Sequence, residues 1–422
     1  MRSNLSFSKM LALLIVISFS TGGCFKDKLT RTYTIYTPIY ETKASVLANI
    51  KSDAPATVKQ AGKLYLYGKY IFLNEIDKGV HIIDNGNPSN PVNVAFIKIP
   101  GNVDIAVKGN TLYADLYADL LAIDITNPLQ AKMEKLVPNI FPDREYSTGF
   151  NPDSTLIVVD WLKKDTTIDV DRNGGIFGGG WGCAVCSFAG AADMALSSNK
   201  SSAAPGLAGS MSRFAIVNDF MYAVNRSSLQ TISVTSPNDP QLLGTENMGW
   251  NIETIYPFKD KLFIGSATGM FIYNINNPSA PEKQGSFTHS RACDPVVADD
   301  DYAFVTLREG NQCDGTSNQL DIVNVQNLLS PSLVKTYQMT NPHGLAKDGN
   351  YLFICDGSDG LKVYDASSVL NLKLIKHIKG LETFDVIAWN KRLILVTDKG
   401  LRQYDYSDIN DIRLLSTIAV NR

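Results

Sequence analysis

Alternating apolar residues that stop at an Asp or Asn, followed by an Asn-Pro or Ser-rich turn, recur along most of the chain. They appear as GVHIIDNGNPSNP (79–91), LLAIDITNP, MFIYNINNPSAP and LKVYDASSV. Period-two alternation marks a half-buried strand, and the turn residues mark where it stops. The Asx side chain bonds the turn backbone, while Pro fixes φ and offers no N–H to extend the ladder. The terminal residues are Asp84, Asp124, Ser233, Asn274, Asn324, Asp365 and Asp405, spaced 40, 109, 41, 50, 41 and 40 residues apart. A hairpin turned on Asn, Asp or Lys precedes the later anchors: VDIAVKGNTLYADL, FAIVNDFMYAVN, TIYPFKDKLFIGS, PVVADDDYAFVTL, GLAKDGNYLFICD and VIAWNKRLILVTD. Two further hairpins, GKLYLYGKYIFLN and STGFNPDSTLIVVD, raise the number to eight; the second falls in the 109-residue gap, where TTIDVD would hold the missing anchor. A period near ~40 residues with four short strands per unit is the spacing of a propeller blade. A lone blade cannot bury both faces, so the blades must stack into a ring. The pattern predicts an all-β fold, a single β-propeller of eight four-stranded blades, with seven as the alternative.

The ends of the chain break this pattern. In residues 1–23, Arg2 and Lys9 flank the apolar run MLALLIVISF, which is too short to span a bilayer and leads into STGGC. This predicts a secretion signal. Its end resembles a bacterial lipoprotein signal, which implies acylation of Cys24 as the new N-terminus, although Thr21 stands where such signals usually carry Leu. A plain secreted chain with an incidental Cys is the alternative. Residues 24–60 are expected to form a lipidated N-terminal tether and a short lead-in, a strand at TYTIYTPIY and a helical turn or two at ETKASVLANI. The KDK after Cys24 resembles a degraded surface-export tag of Bacteroidetes lipoproteins, or is only a charged tether. The propeller would then occupy 61–422, with a Gly-rich insert at about 172–210.

Of the 422 residues, 44% are hydrophobic and 19% charged, with a formal net charge of −3. A nearly neutral chain without a basic run argues against nucleic acid as partner. No second apolar stretch is long enough to cross a membrane, so membrane attachment would fall to the lipid on Cys24. The repeat core, 61 to about 420, resembles the LVIVD-repeat family of secreted and surface β-propellers. HIID, LAID, KVYD and RQYD carry the motif, FIYN and DIVN are Asn variants, and QTIS is a weaker copy. With the lipoprotein start, the chain resembles the LVIVD-repeat lipoproteins of Bacteroidetes, which implies an outer-membrane, lipid-anchored protein at the cell surface or facing the periplasm. A propeller by itself does not name a function.

Strand order sorts the two faces of the disc. The Asp-terminated corners share one face, where they are expected to be structural. The opposite face collects the starts of the innermost strands, near Asp104, Arg213, Glu253, Asp294, His343 and Asp385. It also collects the ends of the second strands, at Glu75, Asp115, Asp160, Arg308, Asp356 and Asp398. These groups either ring a channel mouth that binds a ligand, or bond backbone amides of neighbouring blades. There is no G-x-S-x-G, H-E-x-x-H or Walker loop, and the chain has only four His. Asp356 and Asp398 could pair as glycosidase carboxylates. DVDRNG (169–174) opens like a calcium loop but lacks the downstream Glu. Cys183 and Cys186 form a lone C-x-x-C, a weak metal signal.

Cys293 and Cys313 fall on one face of the same blade and are expected to form a disulfide in an exported protein, whereas Cys355 lies on a strand as a buried thiol. The expected function is non-enzymatic binding or scaffolding, with an unknown protein or glycan as partner and no cofactor beyond a weak calcium candidate. The alternative is a hydrolase of polysaccharides or esters at the channel mouth.

Overall fold

Seven blades stand where the pattern predicts eight. The computed structural model describes residues 29–142, 155–170, 206–249, 251–289, 295–309 and 317–420. The blades span 61–98, 105–137, 214–247, 252–288, 296–338, 345–378 and 383–419, numbered 1 to 7 here. Each holds four antiparallel strands, A to D, in sequence order, and the sheet of blade 1 gains one further strand at each edge.

Of the eighth hairpin, at 147–160, residues 147–154 lie outside the described residues, and the rest forms no blade. Leu156–Val170 is instead one 15-residue strand paired with Leu29–Thr42 in a two-stranded ribbon. Two features explain the difference. No turn residue interrupts the run after Asp160, and Lys163, Lys164 and Asp165 stand exposed where a blade's third strand must be buried. The 109-residue gap is therefore one blade period plus an excursion between blades 2 and 3.

The chain divides into two compact units, Met1–Thr37 with Trp161–Cys183, and Pro38–Asp160 with Ala184–Arg422. The first unit's described part, 29–37 and 161–170, is most of the ribbon. The second holds the blades and a short helix, Lys43–Ala48, whose N-cap Thr42 accepts the Ser45 N–H at 3.2 Å.

Burial grades outward along each blade. Strand B is almost wholly buried, as in Thr111–Leu116, while strand D is mostly exposed, as in Gln241–Asn247. The apolar core lies between blades: Tyr256, Phe263, Phe304 and Ile354 join blades 4, 5 and 6. Leu64, Leu66 and Ile71 of blade 1 pack with Ile387, Ile394 and Val396 of blade 7, and so close the ring. Asn85 and Gln403 add reciprocal side-chain hydrogen bonds across that junction, at 3.0 and 2.6 Å.

The repeated corner has one geometry. Asp84, Asp124, Asn274, Asn324, Asp365 and Asp405 each accept the N–H two residues on, at 2.9, 2.8, 2.7, 3.0, 2.9 and 2.8 Å. Ser233 does so weakly, at 3.5 Å. In all seven blades the N–H just after the anchor donates to a carbonyl in the A–B hairpin turn, as Asn85 does to Lys69 at 2.8 Å and Tyr406 to Lys391 at 2.9 Å. The hairpin turn and the corner thus share a face and bond each other. Gly68, Gly109 and Gly349 supply the left-handed conformation three of those turns need, at φ 56°, 55° and 57°.

Candidate functional site

Strand A is innermost in every blade, so the ring's centre is lined by seven A strands. That centre contains more chain. Gly206–Ala208 pairs antiparallel with Tyr65, Leu66 and Tyr67 on the inner edge of blade 1. On the outer edge of the same blade, Ser52 and Asp53 pair with Ile97 and Phe96.

The segment then crosses the hub. The Ser210 hydroxyl accepts the Leu345 N–H of blade 6 at 2.7 Å and reaches the Asp385 carboxyl of blade 7 at 3.5 Å. Met211 joins the core between blades 1 and 7. Ser212 donates to Asp104 of blade 2 at 3.3 Å. Ala208, Ser210, Met211 and Ser212 are all buried. Small residues suit a position where strands converge, and each Ser hydroxyl satisfies a polar group that burial would otherwise strand.

Asp104 gathers four donors at the hub. It accepts from Lys63 Nζ at 2.9 Å, from its neighbour's Ile105 N–H at 2.8 Å, from Ser212, and from the Arg213 N–H. Lys63 and Asp104 form a buried ion pair. Burial pushes the Lys63 ammonium below its ordinary value, and Asp104 opposes that shift. The sequence survey missed Lys63, although it occupies the same A-strand start in blade 1 (AGKLYLY) as the residues singled out in later blades.

At the ends of the B strands, carboxylates hold loops. Asp115 accepts the Val103 and Asp104 N–H groups and the Asn102 amide, each at 2.8 Å. Asp356 accepts the Thr340 and Asn341 N–H groups at 3.0 and 2.8 Å and pairs with Lys362 at 2.5 Å. Asp398 accepts the Glu382 N–H at 3.1 Å. Glu75 meets His81 Nε2 at 2.6 Å. Asp160 lies on the ribbon strand, paired with Lys78 at 2.6 Å.

His343, Arg308 and Asp385 lie together where blades 5, 6 and 7 meet the hub. His343 Nε2 is 3.3 Å from the Arg308 guanidinium, and its ring stands edge-on to Phe384. Burial first, and Arg308 second, lower its pKa to about 3, so the ring is neutral. Asp385 is fully buried and its carboxyl is pushed well above the usual range by that burial. Gly344 allows the approach: a Cβ there would lie 2.1 Å from Asp385 Oδ1. His343 Nδ1 and Asp385 Oδ2 have no protein hydrogen-bond partner. Cys355 is a buried thiol with its pKa raised by burial.

Of the singled-out face residues, Asp104, Arg308, His343, Asp356 and Asp385 are buried, while Arg213, Glu253 and Asp398 are half-buried. Asp294, the Cys293–Cys313 pair, Cys24, Cys183, Cys186 and most of the calcium-like stretch lie outside the described residues. Among the described residues, no group of three or more His, Cys, Asp or Glu is placed to hold a metal ion. No described helix is long and apolar enough to cross a membrane.

Comparisons with known proteins bear on the fold. The family model for the LVIVD repeat matches residues 59–96, 101–133 and 343–376, in blades 1, 2 and 6. No curated protein matches the sequence. Among solved structures, a protein from Lactobacillus plantarum superposes with a TM-score of 0.56 at 12% identity, over 86% of this chain and 97% of its own. The computationally designed Ika8 protein gives 0.50 at 9% identity, over 87% of this chain and 89% of its own. BamB from Moraxella catarrhalis gives 0.48 at 7% identity, over 86% and 96%. Identities this low speak for fold alone. Three matched repeats, with six four-stranded sheets and one of six strands, make the described body an LVIVD-repeat, seven-bladed β-propeller domain.

Proposed function

We propose that this protein is an exported lipoprotein, anchored to the outer membrane through Cys24, whose propeller is a non-enzymatic disc that recognises a protein or glycan. The observation that carries the proposal is the filled hub. Ser210, Met211 and Ser212 occupy the space where a propeller enzyme would admit substrate, and Asp104, Asp115 and Asp356 are engaged by internal donors. A catalytic carboxylate needs access to a reacting atom. These carboxylates instead fix loops, which presents a rigid face to a partner at low entropic cost.

A partner laid on that face meets Arg213, Glu253 and Asp398, the half-buried members of the set. The test is a glycan array and affinity capture with purified protein, followed by affinity measurement on Arg213→Ala, Glu253→Ala and the opposite-face control Asn274→Ala. A contact at the centre of the interface should cost about 1–3 kcal/mol. Loss of binding in the control with both face variants intact would assign recognition to the wrong side. Ester or glycoside turnover abolished by Asp385→Asn would replace binding with catalysis.

A further inference from the structure

One position breaks the rule that the blade corners otherwise follow. In blades 2 to 7 the residue just after the anchor is Ile125, Val234, Ile275, Val325, Ala366 or Tyr406, each buried. In blade 1 it is Asn85. Its partner across the closing seam is Gln403, two residues before the blade 7 anchor. At that place blades 4, 5 and 6 carry Ile272, Ile322 and Val363, in the same buried clusters as Val325, Ala366 and Tyr406 of the blade that follows. The junction of blades 7 and 1 thus holds two amides where those junctions hold hydrophobic side chains. Asn85 Nδ2 donates to Gln403 Oε1 at 3.0 Å, and Asn85 Oδ1 accepts from Gln403 Nε2 at 2.6 Å, so both ends of the Asn85 amide are occupied. Gln403 is buried, and its Nε2 also reaches Ser416 Oγ at 3.2 Å.

The residue after Asn85 is Gly86. Asn is a thermolabile side chain, and a following Gly, with no Cβ, leaves its backbone N open to the Asn carbonyl carbon. We propose that Asn85 is a deamidation site guarded by Gln403, so that opening of the seam is recorded as a permanent carboxylate. In the closed ring the Gly86 N–H is donated to Asp84 Oδ1 at 2.9 Å, while two hydrogen bonds hold the Asn85 amide across the seam. Local opening frees that amide. Gly86 N then gives its proton to hydroxide and attacks Asn85 Cγ, the Cγ–Nδ2 bond breaks, and the nitrogen leaves as ammonia. Water opens the resulting imide at either carbonyl and yields Asp or its β-linked isomer. Neither product restores the pair. A carboxylate accepts from Gln403 Nε2 but offers Oε1 no donor, and it brings a negative charge against a buried acceptor. The β-linked isomer also lengthens the backbone at a corner whose residue 85 N–H must reach the Lys69 carbonyl.

The test follows residue 85 by peptide mass spectrometry, with isoaspartate detection, while the folded protein is held at mildly alkaline pH. Gln403→Met removes the guard and keeps its length. Val363→Ala loosens the junction of blades 6 and 7 and leaves the Asn85–Gln403 pair intact. The expected result is conversion on the order of tenfold faster in Gln403→Met than in the parent, because two hydrogen bonds to the amide are lost, and the parent rate in Val363→Ala. Equal rates in the parent and Gln403→Met overturn the proposal. So does an acceleration as large in Val363→Ala, because the guard would then be general stability and not Gln403. Asn85→Asp makes one product directly, and it carries the test where Gln403→Met does not fold. Its amide hydrogen exchange should quicken at Ile83 and Leu401, members of the seam cluster, and stay unchanged at Phe263 in blade 4. Exchange at the seam equal to the parent's would mean that the carboxylate leaves no mark on the ring, and the proposal would fall.

Discussion

Removing Asp104 should damage the ring far more than removing its ion-pair partner. Asp104→Ala leaves Lys63 buried beside Arg213 with its countercharge gone, and deprives the Arg213 and Ile105 N–H groups and the Ser212 hydroxyl of their acceptor. Breaking a buried pair from one side costs about 3–5 kcal/mol. At about 2.1 cal/mol/K of unfolding entropy per residue, a ring of this length should lose roughly 4–6 °C in Tm. Lys63→Met leaves Asp104 with three donors and an apolar replacement of similar length, so it should cost under about half as much.

The pH response follows from the same geometry. Burial lowers the Lys63 pKa from its ordinary value of 10.5. Between the folded and unfolded values the unfolded chain binds more protons, so stability rises with pH there. Without Asp104 the folded value drops further, and the Asp104→Ala deficit should narrow as pH rises from 7 to 10. Thermal melts by circular dichroism across that range read both effects. Equal losses in the two variants, or an Asp104→Ala deficit that is flat with pH, would refute the assignment of Asp104 as the acceptor holding the hub.

Two further outcomes are expected. Met211→Ala should destabilise by about 2–5 kcal/mol, because Met211 belongs to the same buried apolar cluster as Leu64 and Ile387 at the ring junction; a loss below about 1 kcal/mol in urea titration would place it outside the core. His343 has a pKa lowered to about 3 from an ordinary 6.5, so as pH falls below 6.5 the unfolded chain takes up a proton that the folded chain refuses. Stability should fall by about 2 kcal/mol between pH 7 and 5, a dependence that His343→Gln should flatten. An unchanged pH slope in that variant would mean that His343 titrates normally.

What the sequence made legible was whatever is settled locally. Each corner satisfies its hydrogen bonds within a few residues, from Asp84 to Gly86 or Asp405 to Ser407, so the same residue types recur at the same offsets. The blade number was harder to read, because STLIVVD alternates no differently from a true strand and only its distant partner, Leu29–Thr42, distinguishes it. The filled hub was not legible. GLAGSMS has no periodicity, and its partners Leu345, Asp385 and Asp104 lie far away in sequence. Lys63 was legible in principle, by aligning AGKLYLY with the later A strands.

The hub segment also bears on how the ring stays closed. Each blade takes all four strands from one continuous stretch, from 61–98 through 383–419, so no strand is shared between the first and last blades. Closure at that junction rests on side chains: the Leu64–Ile387 core and the Asn85–Gln403 pair. Side-chain contacts alone leave such a seam more prone to local opening than a shared hydrogen-bonded strand would. The excursion between blades 2 and 3 supplies the missing backbone. It returns along blade 1 through Gly206–Ala208, puts Met211 into the seam, and bonds blades 6, 7 and 2 through Ser210 and Ser212. An insertion that looks expendable by composition therefore ends in the segment that ties the first blade to the last.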